Sequence, residues 1–576
     1  MSALTLEQQA VVDAPMVPLS VIACAGSGKT KTAVRRLVKM RRNLGNNRGR
    51  VALLSFSNVA VDTFRRAYDE LARDLPADVD RDRVEIDTLD GFITSTILRP
   101  HGHRVMGASQ TPYLVSGSET FLGRFTFMTE AFPMPITNLH VAVIKGKACF
   151  YYRRNDAVEV VSDAIALDPI NRLGKAGAYT HDLGRYWVYR ALRERPKLLA
   201  VVVRRYPHIL IDEAQDIGSV HQAILQLLID AGACVTLIGD PHQGIYDFAG
   251  ADGKFLSEYH LRPGVLKYSL TSNFRSVPHI VNLANGLCGR DDAAVRAVPV
   301  TLHGAFFTGY KRGQHAQLIT AFHGALAATG AEANRSAVLC RSRSLAEEIR
   351  GDAAPAGQGT VKIFAAAAVL RDRKQDFRSA FQRVATGVTA LLEKPPHGLV
   401  SYITQPRGEP AKFPSARALR RAIWAFARDP VAGLPSASLT ADTQWHSQLV
   451  VNIKSLLKKL QTEFALTPAA NIGLKLKKTD LPNAALLSAK DLADDEAASM
   501  RVDTVHQAKG ESLDAVLYMT LKDHAEELLA GVSTEVGRIG YVASTRARDL
   551  LWVAVPNNAL KELRPLFEAK GFQELG

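Results

Sequence analysis

The sequence predicts an α/β protein built on parallel sheets, and three observations carry that expectation. Short apolar runs at Leu19–Ala23, Val51–Ser55, His208–Ile211 and Cys234–Gly239 have the length and continuous hydrophobicity of strands buried on both faces. Amphipathic stretches lie between them, as expected where parallel strands are joined by helical crossovers. After residue 285 the alternation starts again, with apolar runs at Ala337–Arg341, Ala515–Leu521 and Leu550–Val555, so a second α/β core is expected. At 576 residues the chain exceeds what one ordinary core can organise.

The first run leads directly into Gly26-Ser27-Gly28-Lys29-Thr30, and Ala33, Leu37 and Met40 follow at helical spacing. Strand, glycine-rich turn and helix N-terminus together make a phosphate cradle: glycines let backbone N–H groups turn inward, and the helix dipole adds positive charge. The nucleotide would lie on Ala25, Gly26, Ser27, Gly28, Lys29, Thr30 and Lys31. Lys29 would reach the β- and γ-phosphates, and the Thr30 hydroxyl would ligate Mg²⁺. The first position of the motif holds Ala23 where the strict pattern has glycine. Upstream, in Leu4–Gln9, Gln8 is a candidate base reader, because an amide can pair with the N6/N7 edge of adenine.

The second run ends in Phe56-Ser57-Asn58, and Ile86–Asp90 reads as another strand end. Residues 94–190 lack an equally clear pattern and read as an inserted domain, with aromatics beside basic residues at Phe150–Arg154; His101-Gly102-His103 reads as loop. The third run delivers Asp212 and Glu213 at its C-terminal end, where ligands bind in α/β sheets. Asp212 would hold Mg²⁺ through water, and Glu213 would position and deprotonate an attacking water. After the fourth run come Gln243, placed to sense a γ-phosphate, and Tyr246 and Phe248, which offer faces for base stacking. Arg275 follows Phe274 and is a candidate arginine finger.

Lys and Arg number 71 against 57 Asp and Glu, a net charge of +14 that suggests a polyanionic partner. Between Pro355 and Lys490 there are 20 Lys/Arg against 8 Asp/Glu, so most of the surplus sits in one segment. Its helical stretches are expected at Asp376–Leu392, Ala416–Ala427 and Ser447–Leu460, with basic clusters at Arg371, Arg373, Lys374 and Arg378 and at Arg417, Arg420, Arg421 and Arg428. An acidic cluster, Asp491–Glu496, closes the segment. Five scattered cysteines without a CxxC pair argue against a disulfide framework, a zinc site or any other structural metal. There is no bilayer-length apolar run and no secretory leader pattern, so no membrane partner is expected and the default compartment is the reducing cytoplasm.

Taken with Val502–Gly510 (VDTVHQAKG) and Gly540–Arg548 (GYVASTRAR), this series of motifs resembles the superfamily 1 helicases of the UvrD/Rep/PcrA type. The resemblance implies two RecA-like parallel-sheet P-loop cores, each carrying a mostly helical inserted domain. It divides the chain into a first core (1–93 and 191–285) with insert 94–190, and a second core (286–354 and 497–576) with basic insert 355–496. It implies ATP and Mg²⁺ as cofactors, and 3′-to-5′ movement on single-stranded DNA with strand separation at duplex junctions. By motif, Gln8 resembles the adenine reader and Phe274 the aromatic near adenine. Lys29, Asp212, Glu213, Gln243, Arg275 and Arg546 resemble the catalytic set, with the two arginines meeting the γ-phosphate. Phe56, Asn58, Tyr246, Phe248, Thr504, His506 and Lys509 resemble the DNA contacts. Four positions depart from the family pattern: Val59, Asp90 and Ala249 stand where Lys, His and Arg are usual, and Lys509–Asp514 reads KGESLD. The KGESLDAV form is also similar to helicase-like subunits of bacterial anti-phage systems such as Gabija. The alternative expectation is therefore a DNA-stimulated ATPase that senses ends or single strands for a nuclease or other effector, with little unwinding.

Overall fold

The computed structural model describes residues 4–45, 49–76, 79–115, 117, 119–130, 132–154, 157–246, 250–311, 313–349, 359–393, 395–396, 399–404, 416–487 and 500–575. Phe248, Ala249 and the acidic cluster Asp491–Glu496 lie outside the described residues.

Two six-stranded parallel sheets organise the larger of two compact units. The first contains β1 (Leu19–Ala23), β2 (Val51–Ser55), β3 (Val84–Thr88), β4 (His208–Ile211), β5 (Cys234–Gly239) and β6 (Leu266–Leu270) in the order β6-β1-β5-β4-β2-β3. Strand β1 is internal, next to the edge strand: Leu19 pairs in register with Thr236 on one side and Leu266 on the other. Val21, Ala23, Leu53 and Leu237 are wholly buried, which is why these strands read as unbroken apolar runs. Strand β6, LKYSL, lies at the sheet edge with mostly exposed or half-exposed residues, and its weaker apolar signal gives no strand pattern in the sequence.

The second sheet contains β7 (Gly304–Tyr310), β8 (Ala337–Cys340), β9 (Arg501–Thr504), β10 (Leu513–Met519), β11 (Ala547–Pro556) and β12 (Gln573–Glu574), ordered β9-β8-β10-β11-β7-β12. Strand β8 pairs with β9 although 160 residues of sequence lie between Cys340 and Arg501. The second insert therefore leaves this sheet and returns to the adjacent position.

The expectation that residues 94–190 are mostly helical is corrected. The segment holds a three-stranded antiparallel meander, His140–Ile144, Lys147–Arg154 and Ala157–Val161, beside helices Arg99–Met106, Asp163–Lys175 and His181–Glu194. Its first hairpin turns on Lys145 and Gly146, both at positive φ (49° and 76°), the combination that a two-residue type I′ loop requires. Val141, Val143, Phe150 and Val161 pack into the core that also buries Ile209, Ile211 and Val235 of the first sheet. His101 and His103 lie on helix Arg99–Met106 and not in a loop; the helix continues directly from the helical turn Thr94–Leu98.

Residues Arg343–Met500 form the second unit. Its described part is helical: Gly359–Lys374, Phe377–Ala390, Leu399–Thr404, Ala416–Arg428 and His446–Phe464. Phe364, Phe381, Val384, Leu419, Ile423, Trp445 and Leu457 make its core. One expected surface cation is internal: Arg371 is buried and donates to the carbonyls of Ala427, Leu434 and Pro435 while pairing with Asp372. A guanidinium with five donors can join chain segments that a point charge could not. Arg417, Arg421 and Arg428 are exposed along helix Ala416–Arg428.

Candidate nucleotide site between the two sheets

The phosphate loop turns on two glycines in the left-handed region, Gly26 (φ 70°) and Gly28 (φ 76°), before helix Lys29–Leu44 begins. Space as well as conformation excludes a side chain at both. A Cβ on Gly26 would lie 2.5 Å from Cβ of Arg275, and one on Gly28 would lie 2.8 Å from Nε2 of Gln8. The loop is thus closed on by the two residues that flank it in space. Ser27 is buried and donates to Cys24 O, and Ala25 is buried.

Gln8 sits in the first turn of helix Leu6–Asp13, in a capping box with Thr5. Its Oε1 accepts from Thr5 N at 3.2 Å and its Nε2 donates to Ser27 O at 2.9 Å. The expected adenine reader is therefore held against the phosphate loop with both ends of its amide engaged by protein. Phe274 donates its backbone N–H to Gly26 O, and the residue remains 40% exposed. Glu7 accepts from Thr271 N and Oγ1, tying the Gln8 helix to the segment that leads to Phe274.

The carboxylate pair leaves β4 through a strained turn: Glu213 has φ 55° and ψ 41°, uncommon for a residue with a β-carbon. Asp212 is buried, and its Oδ1 makes no hydrogen bond. Burial and the neighbouring Glu213 raise the Asp212 pKa. Burial also acts to raise that of Glu213, but Lys29, Lys509, the Gln215 amide and Arg546 outweigh it and hold Glu213 ionised. An orphaned acid oxygen of a residue that lines one cavity with Thr30 fits a hard divalent cation such as Mg²⁺.

Side chains from the second sheet cross to this site. Arg546 is buried and donates from Nη2 to Gln243 Oε1 at 2.8 Å; Gln243 Nε2 donates to Asp240 Oδ2 at 2.9 Å. Arg275 Nη1 donates to Thr545 O at 2.8 Å, and Asn273 Oδ1 accepts from the N–H groups of Arg275 and Ser276, fixing the turn. Burial and the adjacent Arg546 lower the Arg275 pKa to about 9. The Glu213 carboxylate acts in the opposite sense on both arginines, so the two guanidinium groups and the acid share one electrostatic site.

Sequence reasoning missed Gln215. It is wholly buried, donates to Glu213 Oε2 and accepts from Asp240 N at 3.1 Å, so it joins the carboxylate turn to the strand end that carries Gln243. The only signal was its place within DEAQD.

The remaining expected residues divide. Phe56 and Tyr246 line the cavity of about 940 Å³ that also reaches Thr30 and Glu213. Asn58 is exposed at the start of helix Asn58–Leu71, beside Val59, which is 76% exposed. His506 and Lys509 line the same cavity, whereas Thr504 is buried, and all three are engaged by protein partners. Thr504 Oγ1 bonds Gln507, His506 Nε2 lies 3.1 Å from Ile245 O, and Lys509 Nζ is 2.6 Å from Asp216 Oδ1 and 2.8 Å from Gln243 O. The Lys509 ammonium also lies 4.7 Å from the Tyr246 ring centroid. A buried carboxylate demands a cation, and Asp216 takes Lys509 for that purpose.

Phosphate loop, acid pair and facing arginines on parallel sheets define a P-loop nucleotide-binding protein. The UvrD/REP helicase N-terminal domain matches residues 4–140 and 166–261. Over this part, the chain is similar to the UvrD type of superfamily 1 helicases. It is 27% identical over 310 residues to DNA helicase II of Haemophilus influenzae, covering 49% of this chain and 40% of that protein. Against ATP-dependent DNA helicase UvrD2 of Mycobacterium tuberculosis the identity is 25% over 299 residues, 48% and 42% of the two chains. Against ATP-dependent DNA helicase PcrA of Leuconostoc citreum it is 24% over 293 residues, 48% and 38%. The aligned part spans less than half the length of each of these relatives.

Proposed function

We propose that this protein is an ATP-dependent DNA helicase that hydrolyses ATP between two RecA-like cores and moves 3′ to 5′ along single-stranded DNA. The observation that carries the reading is the chain Asp240–Gln243–Arg546, which runs from the nucleotide-bearing sheet to the sheet that supplies the γ-phosphate arginine. In this reading Lys29 and the loop N–H groups hold the β- and γ-phosphates. Glu213 orients the attacking water and takes its proton. Arg275 and Arg546 meet the charge that grows on the transferring phosphoryl group. Mg²⁺, held by Thr30 and by Asp212 through water, would neutralise phosphate charge.

Residues 1–93 and 191–285 then form the first core and 286–354 with 497–576 the second, with inserts 94–190 and 355–496. The basic insert would meet duplex at a junction through helix Ala416–Arg428. A protein acting on DNA in this way works in the cytoplasm. The named relatives support helicase activity over the sensor alternative. The test is strand displacement on a forked duplex with a 3′ tail. ATP-dependent displacement by wild type and none by Glu213→Gln is expected; DNA-stimulated hydrolysis without displacement on either tail polarity would overturn the unwinding part of the reading.

A further inference from the structure

The meander of the first insert is buried on one face and open on the other. His140, Tyr151 and Val160 stand directly opposite one another across its three strands, and Arg153 stands opposite Val158 in a neighbouring row. Strand alternation puts these side chains on the face away from core residues Val141, Phe150 and Val161. Val160 is 80% exposed and Val158 55%. His140, Tyr151 and Arg153 line the same cavity as Phe56 and Tyr246.

The Tyr151 ring is backed by His140, with centroids 5.4 Å apart and planes inclined by 30°. His140 Nδ1 is 2.6 Å from Asp182 Oδ2, and Asp182 Oδ1 is 3.0 Å from Arg185 Nη1. Arg185 makes a two-pronged pair with Asp90 at 2.8 and 2.6 Å, and Asp90 also meets His221 Nε2 at 2.9 Å. This series of side chains ends at Phe56, whose ring lies edge-on to His221 at 5.9 Å. It anchors the meander to the first sheet and gives the wall's two carboxylates cationic and imidazole partners, so they present little bare negative charge to a polyanion.

We propose that the open face of the meander, centred on Tyr151, is a stacking wall for the unpaired bases of a single-stranded nucleic acid. Val160 extends the apolar surface and Arg153 supplies positive charge at its side. Bases offer flat apolar faces only when unpaired, and Tyr151 lines the same cavity as Tyr246, so a single strand suits it better than duplex. The inference rests on the helicase reading above.

The test measures binding of full-length wild type, Tyr151→Ala, Tyr151→Phe and Val160→Glu to a fluorescent single-stranded oligonucleotide, alongside DNA-stimulated ATPase. Tyr151→Ala should weaken binding about 5- to 150-fold, the equivalent of one stacked base. Tyr151→Phe should retain affinity. Val160→Glu changes a solvent-facing side chain and should weaken binding by placing a carboxylate on the wall. An oligonucleotide carrying 5-iododeoxyuridine should photocrosslink to the peptide containing Tyr151. If wild type shows DNA-stimulated ATPase but Tyr151→Ala and Val160→Glu bind normally, the wall is wrong; should Tyr151→Ala not fold, normal binding by Val160→Glu and no crosslink at Tyr151 overturn it equally. If wild type shows no DNA stimulation, the helicase reading itself has failed.

Discussion

Arg546 and Gln243 are joined side chain to side chain, Nη2 to Oε1 at 2.8 Å, across the space between the two sheets. Gln243 is held from behind by Asp240, and its own backbone carbonyl accepts from Lys509 Nζ. One residue of the first sheet therefore touches both the arginine expected at the γ-phosphate and the lysine that sits under Tyr246. In the helicase reading proposed above, a nucleotide that draws Arg546 toward its phosphate would loosen the Arg546–Gln243 bond, and Gln243 would carry that change toward Lys509 and Tyr246.

Arg275→Ala and Arg546→Ala should each depress ATP turnover far more than ATP binding, because the charge they meet is greatest in the transition state. Turnover by phosphate release and affinity by a fluorescent nucleotide separate the two effects. Equal losses in both measurements would assign the arginines to ground-state binding.

Glu213→Gln should retain nucleotide binding and lose roughly 10²–10⁴-fold in hydrolysis, since the amide cannot take the proton of the attacking water. Lys29→Ala should instead lose the charge placed on the β- and γ-phosphates, so its defect includes binding. Wild-type hydrolysis by Glu213→Gln would remove Glu213 from its role as base.

The Lys509–Asp216 pair has a pH signature. Burial pushes the Asp216 carboxyl up to about 6 from its ordinary 3.8, against the pull of Lys509. The folded protein holds that proton over a range where the unfolded chain has released it, so this group's contribution to stability falls as pH rises from about 4 to about 6. Lys509→Met removes the cation and should cost about 3–5 kcal/mol at pH 8, where Asp216 is left charged and unpaired. The loss should shrink at pH 5, where the carboxyl can neutralise itself. Thermal unfolding at the two pH values checks this, and an equal loss at both would contradict it.

In the helical unit, Arg417, Arg421 and Arg428 are exposed on one helix, whereas Arg420 donates to Ile403 O and lies over the Phe381 ring. Replacing the three exposed arginines with Gln should flatten the dependence of log affinity on log salt for a tailed duplex, by up to about 0.9 for each phosphate no longer neutralised. ATPase on short single strands should persist. Unchanged slope and unchanged strand displacement would leave this face as solvated surface.

Much of the first sheet was legible in the sequence because its central strands are buried on both faces. Val51–Ser55 and Cys234–Gly239 are strands over the very residues whose apolar continuity marks them. Leu266–Leu270 was not legible, because an edge strand can expose one side and dilute that signal. The meander was obscured for a related reason: its open face mixes Tyr151, Arg153 and Lys147 with the buried alternation.

By itself the sequence determined the phosphate loop and the acid pair. Both are built from contiguous residues whose local backbone preferences set their shape: left-handed glycines before a helix, and two carboxylates at the end of a buried strand. Tertiary structure alone decided which charges are spent internally. Lys509 meets Asp216 from a segment 293 residues away, Arg371 turns inward to three carbonyls, and the Gln8 amide is engaged by Ser27 and Thr5. The physical reason is desolvation: a charge or amide seeks a partner only once folding has removed water from it, and the partner's identity depends on which distant segment covers it.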